Sequence, residues 1–207
     1  MSDLFEKLLA SSVQAHGHLC PGQVVGVRMA LLGLRLVGFT PPLDVDEVKK
    51  LIVFVEMDRC AADAVAHTAG VTLGHRSLKF KDFGIMAATF LNLETGKAYR
   101  LVSTEESRDL ADQYAPGIED EAECQVRAYR IMPDEVLFTA QEVEVHLSEL
   151  DLPGPPRRKV VCDACGQAVR DGKEKVVRGR VLCPPCAGEA YFRPLRPLDL
   201  STRSRRS

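Results

Sequence analysis

Two groups of cysteine and histidine are spaced so that they could hold metal. Cys162-Asp-Ala-Cys165 and Cys183-Pro-Pro-Cys186 are C-x2-C knuckles separated by 17 residues. A two-residue spacer lets a tight turn aim both thiolates at one ion about 2.3 Å away, and four sulfurs complete a closed tetrahedron. The run Val176 to Leu182 between the knuckles fits the short hairpin that usually joins them, and Gly166 suits the positive φ of such a turn. The pattern predicts one structural zinc, because four filled positions leave no place for water. An iron–sulfur cluster is the main alternative; redox dithiols and disulfides are disfavoured by the lack of a thioredoxin-like βαβ pattern around either pair.

The second group is His16-Gly-His18-Leu-Cys20-Pro-Gly22. If this segment is extended, alternate side chains share one side, so His16, His18 and Cys20 face the same way. Imidazole and thiolate suit zinc and other borderline ions, and three protein ligands leave a position open. Cys20 stands just before a predicted helix, where the dipole favours the thiolate. Cys60 has a similar place, at the end of an apolar strand and just ahead of an Ala-rich helix, with Glu56, Asp58 and Asp63 around it in sequence. Ligands and catalytic groups collect at such strand ends. His16, His18, Cys20 and Cys60 are therefore candidate ligands of a second transition metal, with zinc among the fitting ions. Cys20, Cys60 and Asp63 are candidate catalytic residues, and Glu56, Asp58 or Asp63 could carry protons or support the ligands. Each residue alone has an ordinary explanation, since a loop histidine is commonly solvated and a single buried cysteine is a small hydrophobe. The grouping is what signals chemistry. Cys124 reads as structural, His67 as a helix-face and His146 as a strand-face histidine.

The elements that must position these groups follow from periodicity. Leu4, Phe5, Leu8, Leu9 and Val13 form a helical stripe capped by Ser2 or Asp3. A second helix runs from about Gly22 to Val37, apolar nearly all round, with Gly22, Gly26, Ala30 and Gly33 allowing close backbone approach. Leu51 to Met57 is a continuous β-branched and apolar run, an interior strand. It leads into the helix Ala61 to Ala69, which Gly70 ends. Ile85 to Leu93 and Lys97 to Val102 flank a hairpin signal at Glu94-Thr95-Gly96. Helices are predicted at Glu105–Tyr114 and Glu119–Ile131, and short strands at Val136–Phe138 and Glu142–Leu147. The order predicts an α+β fold, helices on a mainly antiparallel or mixed sheet, over residues 1–150. A Pro-rich linker follows at 151–159, then a zinc ribbon at 160–190 and a basic tail at 191–207.

With 207 residues and 45% hydrophobic content the chain can bury a core without staples. The net charge of −2 hides an asymmetry: residues 1–150 hold 14 basic and 23 acidic groups, net −9, and residues 151–207 hold 13 and 6, net +7. Such a split predicts units with different partners, or units that attract each other. The N-terminus has neither a basic n-region nor an apolar h-region, and the most apolar stretch is too short to span a bilayer and carries Arg28 and Arg35. A cytoplasmic, non-membrane protein is expected, where clustered thiols more often bind metal than each other. No P-loop, dinucleotide fingerprint or Gly-x-Ser-x-Gly elbow is present.

The run His16-Gly-His18-Leu-Cys20-Pro-Gly-Gln-Val-Val-Gly-Val-Arg28-Met-Ala resembles the opening motif of the FmdE family, named for a subunit of formylmethanofuran dehydrogenase. Glu56-Met-Asp58-Arg-Cys60-Ala-Ala-Asp63-Ala-Val, Gly70-Val-Thr-Leu-Gly74-His and Lys81-Asp-Phe-Gly84-Ile-Met-Ala agree with it, as does the cysteine ribbon after a Pro-rich linker. The resemblance implies an α+β N-terminal domain, a homodimer, and a metal pocket built from the first motif and the strand-end cysteine. It also implies association with a molybdenum or tungsten enzyme, an oxidoreductase that makes formylmethanofuran. Where many members carry Gly-Cys-Thr-Leu-Gly-Lys, this chain has Val71 and His75, which removes a thiol and adds an imidazole.

Two function classes are expected to compete. In one, the chain is an FmdE-like accessory or stand-alone metalloprotein with an N-terminal His/Cys site. In the other, it is a regulatory module that binds a small molecule or a protein, or reads nucleic acid through the basic ribbon and the tail Arg203-Ser-Arg205-Arg206. The scarcity of aromatic residues beside that charge, Tyr191 and Phe192 alone, disfavours nucleic acid.

Overall fold

The structure, a computed structural model, describes residues 3–196; Ser2 and the basic run Arg203–Arg206 lie outside them. The chain divides into two compact units after Gly154.

In the first unit, α1 (Asp3–His16) and α2 (Pro21–Val37) are followed by a short α3 (Val45–Val48), the strand β1 (Leu51–Val55) and α4 (Cys60–Ala69). Next come β2 (Leu78–Phe80), the hairpin β3 (Ala87–Asn92) and β4 (Ala98–Ser103), and the helices α5 (Glu106–Asp109), α6 (Ala111–Tyr114), α7 (Glu121–Ile131) and α8 (Asp134–Leu137). The strand β5 (Phe138–Glu142) closes the unit's sheet. Its order is β2-β1-β3-β4-β5, with β1 and β2 parallel and every other pair antiparallel. The unit is α+β with a mixed sheet.

Strand alternation sorts the sheet into two faces. Leu51, Val53, Val55, Ala88, Phe90 and Leu101 enter the main core with the helices. Ile52, Leu91 and Ala98 form a smaller cluster covered by Val143, Val145 and Leu147. Those three residues alternate as expected of a strand, yet the strand is Phe138–Glu142 and the chain leaves the ladder just beyond it. Their period records one-sided burial. Two other expectations also fail locally. The helix predicted over Glu105–Tyr114 is broken at Leu110 into α5 and α6, and Val136 lies in α8, where the chain turns after Pro133.

The centre of the unit is the contact of α2 with α4. A Cβ added at Gly26 would lie 2.6 Å from both the Ala61 carbonyl oxygen and the Ala64 Cβ, and one at Gly22 would lie 3.0 Å from the Cys60 Cβ. The two helices therefore touch through backbone, which only glycine permits at these positions. Gly33 makes room for the Phe90 ring in the same way, at 2.3 Å. Arg28 ties α2 to α7: its guanidinium donates to the carbonyls of Tyr129, Arg130 and Met132 and to Asp134 Oδ1, satisfying acceptors that the helix end leaves open.

The second unit is two hairpins, β6 (Lys159–Val161) with β7 (Ala168–Arg170) and β8 (Lys175–Val177) with β9 (Arg180–Leu182). Arg178 and Gly179 both have positive φ, 51° and 78°, as a tight two-residue hairpin turn requires. Its core is small: Cys162, Val169, Leu182 and Cys183. Among the described residues, no helix is long and apolar enough to cross a membrane.

Candidate metal centres

The ribbon site is made locally. Cys162 and Cys165 follow β6, and Cys183 and Cys186 follow β9. Asp163 joins the two halves, its N–H donating to the Val181 carbonyl and its Oδ2 accepting from the Val181 N–H at 2.7 Å. All four sulfurs lie within 4.8 Å of one another, and Cys165 Sγ to Cys183 Sγ is 3.7 Å. A tetrahedron with arms of about 2.3 Å has edges of about 3.8 Å, so the spacing fits a four-thiolate zinc ribbon. The Cys183 backbone N–H aimed at Cys162 holds that thiol down at about 6. Cys186, facing the Cys183 and Cys165 sulfurs, is pushed up to about 12. Ionising one sulfur opposes ionising the next, and a divalent cation relieves that conflict.

The N-terminal site is assembled from three helix ends. His16 is the last residue of α1, Cys20 is the cap before α2, and Cys60 is the first residue of α4. The donor atoms of His16, His18, Cys20 and Cys60 all lie within 4.8 Å of one another. The expected extended segment from His16 to Cys20 is not what gathers them. Helix α1 continues through His16, and Gly17, with φ of 102°, turns the chain. The rings of His16 and His18 end 4.7 Å apart, tilted by 39°.

Asp63, one turn into α4, reaches back to His16. Its Oδ2 lies 2.9 Å from His16 Nδ1, which fixes the ring and leaves Nε2 as the nitrogen able to take a metal. That Nε2 is buried with no protein partner among the described residues. A buried ring nitrogen is normally satisfied, and an imidazole whose other nitrogen is held by a carboxylate is the usual arrangement of a metal-bound histidine. Two imidazoles and two thiols also match the donor preference of zinc, so the residues fit a resident ion.

Gln23 supports the same centre and has no motif signal of its own. Fully buried, it accepts from Ser12 Oγ at 2.6 Å and donates through Nε2 to the Cys60 carbonyl at 2.8 Å. One amide thus joins α1, α2 and the start of α4. A polar residue on a mostly apolar helix is the only hint of this in the sequence. The Cys60 thiol is pushed up, first by burial and then by the facing Cys20 sulfur, the opposite of the effect expected from its place at a helix start.

Other sequence candidates are placed elsewhere. Glu56 is buried but takes Arg100 in a two-point ion pair, Nε to Oε1 at 2.7 Å and Nη2 to Oε2 at 2.6 Å. Arg100 shares the sheet face of Ala98, away from the helices, so Glu56 is engaged as a structural partner rather than a proton carrier. Asp58 is exposed and outside both clusters, as is His75. Val71 is buried and lines a cleft of 510 Å³ with Ser12, His16, Asp63, His67 and Thr72. His67 Nε2 pairs with Ser11 Oγ at 2.8 Å, and the Cys124 thiol points to Asp112 Oδ1 at 3.2 Å.

Residues 15–139 match the family described as FmdE, molybdenum formylmethanofuran dehydrogenase operon. A probable S-adenosyl-L-methionine-binding protein of Archaeoglobus fulgidus is 27% identical over 89% of this chain, and the chain spans about half, 54%, of that relative's length. A crystal structure of a tungsten formylmethanofuran dehydrogenase FmdE-like protein from Syntrophus aciditrophicus superposes with a TM-score of 0.58 over 91% of this chain and 94% of the other, at 19% identity. That likeness is one of fold.

Proposed function

The chain belongs to the FmdE family, and from that premise we propose a metalloprotein with two ions of different duty. Zinc in the ribbon holds the second unit together. A second divalent transition ion, zinc by its donor set, sits among His16, His18, Cys20 and Cys60 in the first. The observation that carries the reading is the convergence of donor atoms from His16, His18, Cys20 and Cys60 within 4.8 Å, beside a His16 Nε2 that is buried and without a partner among the described residues. When bound there, the ion supplies Lewis acidity to a ligand atom. Asp63 holds the His16 ring, and Gln23 holds the Cys60 backbone, so these two donors need not be ordered on binding. In this reading Cys20 and Cys60 act as ligands and Asp63 as a positioning residue.

The protein serves as an accessory or stand-alone relative of the FmdE polypeptide that accompanies molybdenum or tungsten formylmethanofuran dehydrogenase, and works in the cytoplasm as a homodimer. The exposed apolar side chains Phe80, Phe83 and Ile85 support self-association. Metal analysis of the purified protein tests the centre. Two equivalents per chain are expected, with one lost in the Cys20→Ala/Cys60→Ala double variant; one equivalent that survives those changes sinks it.

A second reading draws on the cleft beside His16 and Asp63, whose 510 Å³ suits a small organic ligand. The name of the archaeal relative makes S-adenosylmethionine the first compound to try. Calorimetry with that compound decides the point, and the absence of heat ends this second reading.

A further inference from the structure

The four donors of the N-terminal centre are held very unequally. The His16 side chain is 14% exposed and is fixed at Nδ1 by Asp63. Cys20 is built into the start of α2, its carbonyl accepting from the N–H groups of Gln23 and Val24. Cys60 begins α4, packs its Cβ against Gly22, and has its carbonyl gripped by Gln23. His18 has none of this. It is exposed, it lies between Gly17 and the exposed Leu19, and no hydrogen bond to its side chain occurs among the described residues. Its ring meets that of His16 and no other ring among those residues.

From this inequality we infer that His18 is the exchangeable ligand of the centre, the donor that leaves so that an outside molecule can bind. The inference rests on the metal site proposed above. A fourth ligand that closes the tetrahedron would otherwise make the centre as inert as the ribbon. The three anchored donors keep their places when His18 swings outward, because each is held by a group other than the ion. The exchange breaks one metal–nitrogen bond and forms one bond to the incoming atom. The departing imidazole is neutral, so a neutral nitrogen or oxygen donor replaces it with no change in charge. Amines, imidazoles, carbonyl oxygens and water form that class. Rotation of an exposed side chain next to glycine is sufficient motion, and no helix need shift.

Zinc affinity of the N-terminal centre, measured on the full chain by competition with a chromophoric chelator, tests this. His18→Ala is expected to weaken binding by about tenfold or less, and added imidazole to restore it. His16→Ala is expected to weaken it by about 100-fold or more, beyond the usual cost of losing a supporting group, with no rescue. On zinc-loaded wild-type protein carrying 15N-histidine, the His18 ring signals are expected to broaden on addition of imidazole while those of His16 stay sharp. Equal losses in the two variants, failed rescue of His18→Ala, or an unchanged His18 ring overturns the inference and leaves the metal site standing. Wild-type protein that binds one zinc, in the ribbon alone, overturns the metal site and the inference with it.

Discussion

The two centres use similar atoms and opposite construction. In the ribbon, each pair of ligands comes from one turn of chain, the two turns are bridged by Asp163, and the sulfurs themselves form much of the core. In the first unit three of the candidate donors sit at the ends of α1, α2 and α4 and His18 in the turn between the first two, on a framework whose core is made of other residues. A centre that is its own core depends on the ion to fold. A centre mounted on an independent core can lose the ion, or one ligand of it, and keep its shape. The second kind can exchange ligands; the first cannot without unfolding.

Variants can break that contrast or sharpen it. Cys183→Ser has the largest expected effect. Structural zinc contributes roughly 10–16 kcal/mol in small modules, so the ribbon should lose its fold and one zinc while the first unit melts as before. Proteolysis confined to the chain after residue 154 checks it, and a ribbon that stays folded without metal would erase the distinction. Arg100→Met comes next. It leaves the buried Glu56 carboxylate unpaired, and should cost toward the lower end of about 3–5 kcal/mol, since Arg100 itself is part-exposed. Metal content should not change, because this ion pair lies on the far face of the sheet; zinc loss in a folded variant would contradict that placement. Gly26→Ala drives a methyl into the Ala61 carbonyl and should cost about 1–3 kcal/mol in chemical denaturation, with weaker N-terminal metal binding and an intact ribbon. Asp63→Asn is the mildest. It should lower N-terminal zinc affinity about 10–100-fold while the metal-free protein melts at the wild-type temperature. A melting change without an affinity change would make Asp63 a stability residue instead.

Legibility in the sequence follows the same division. The ribbon's four cysteines read as a group because each pair is two residues apart and its geometry is local. His16, His18 and Cys20 read as a motif, though the turn at Gly17, rather than strand alternation, brings them together. Cys60 is suggested by its place between a strand and a helix. Nothing local shows that Asp63 faces His16, 47 residues away, or that Gln23 reaches Cys60, 37 away. Those contacts exist only once α4 has packed against α1 and α2. The glycines at 22 and 26 announce a close approach but not its partner. Glu56 misleads for the same reason: its position in sequence is that of a site residue, while strand parity turns it to the other face. In the fold, α5 and α6 read as one helix because a break at Leu110 leaves the polar pattern unchanged, and β2 escapes notice because three residues carry too little period.

The position of Cys60 has a consequence in polymer terms. His16, His18 and Cys20 are neighbours in the chain, so binding an ion to them alone ties nothing together. Adding Cys60 closes a ring of roughly 40 residues, containing all of α2, α3 and β1. Closing such a ring in the unfolded chain removes entropy worth on the order of 4 kcal/mol, much as a crosslink does. A loaded centre should therefore raise the melting temperature of the first unit by on the order of 10 °C. Loss of His18 leaves the ring closed and most of that gain in place, whereas loss of Cys60 opens it.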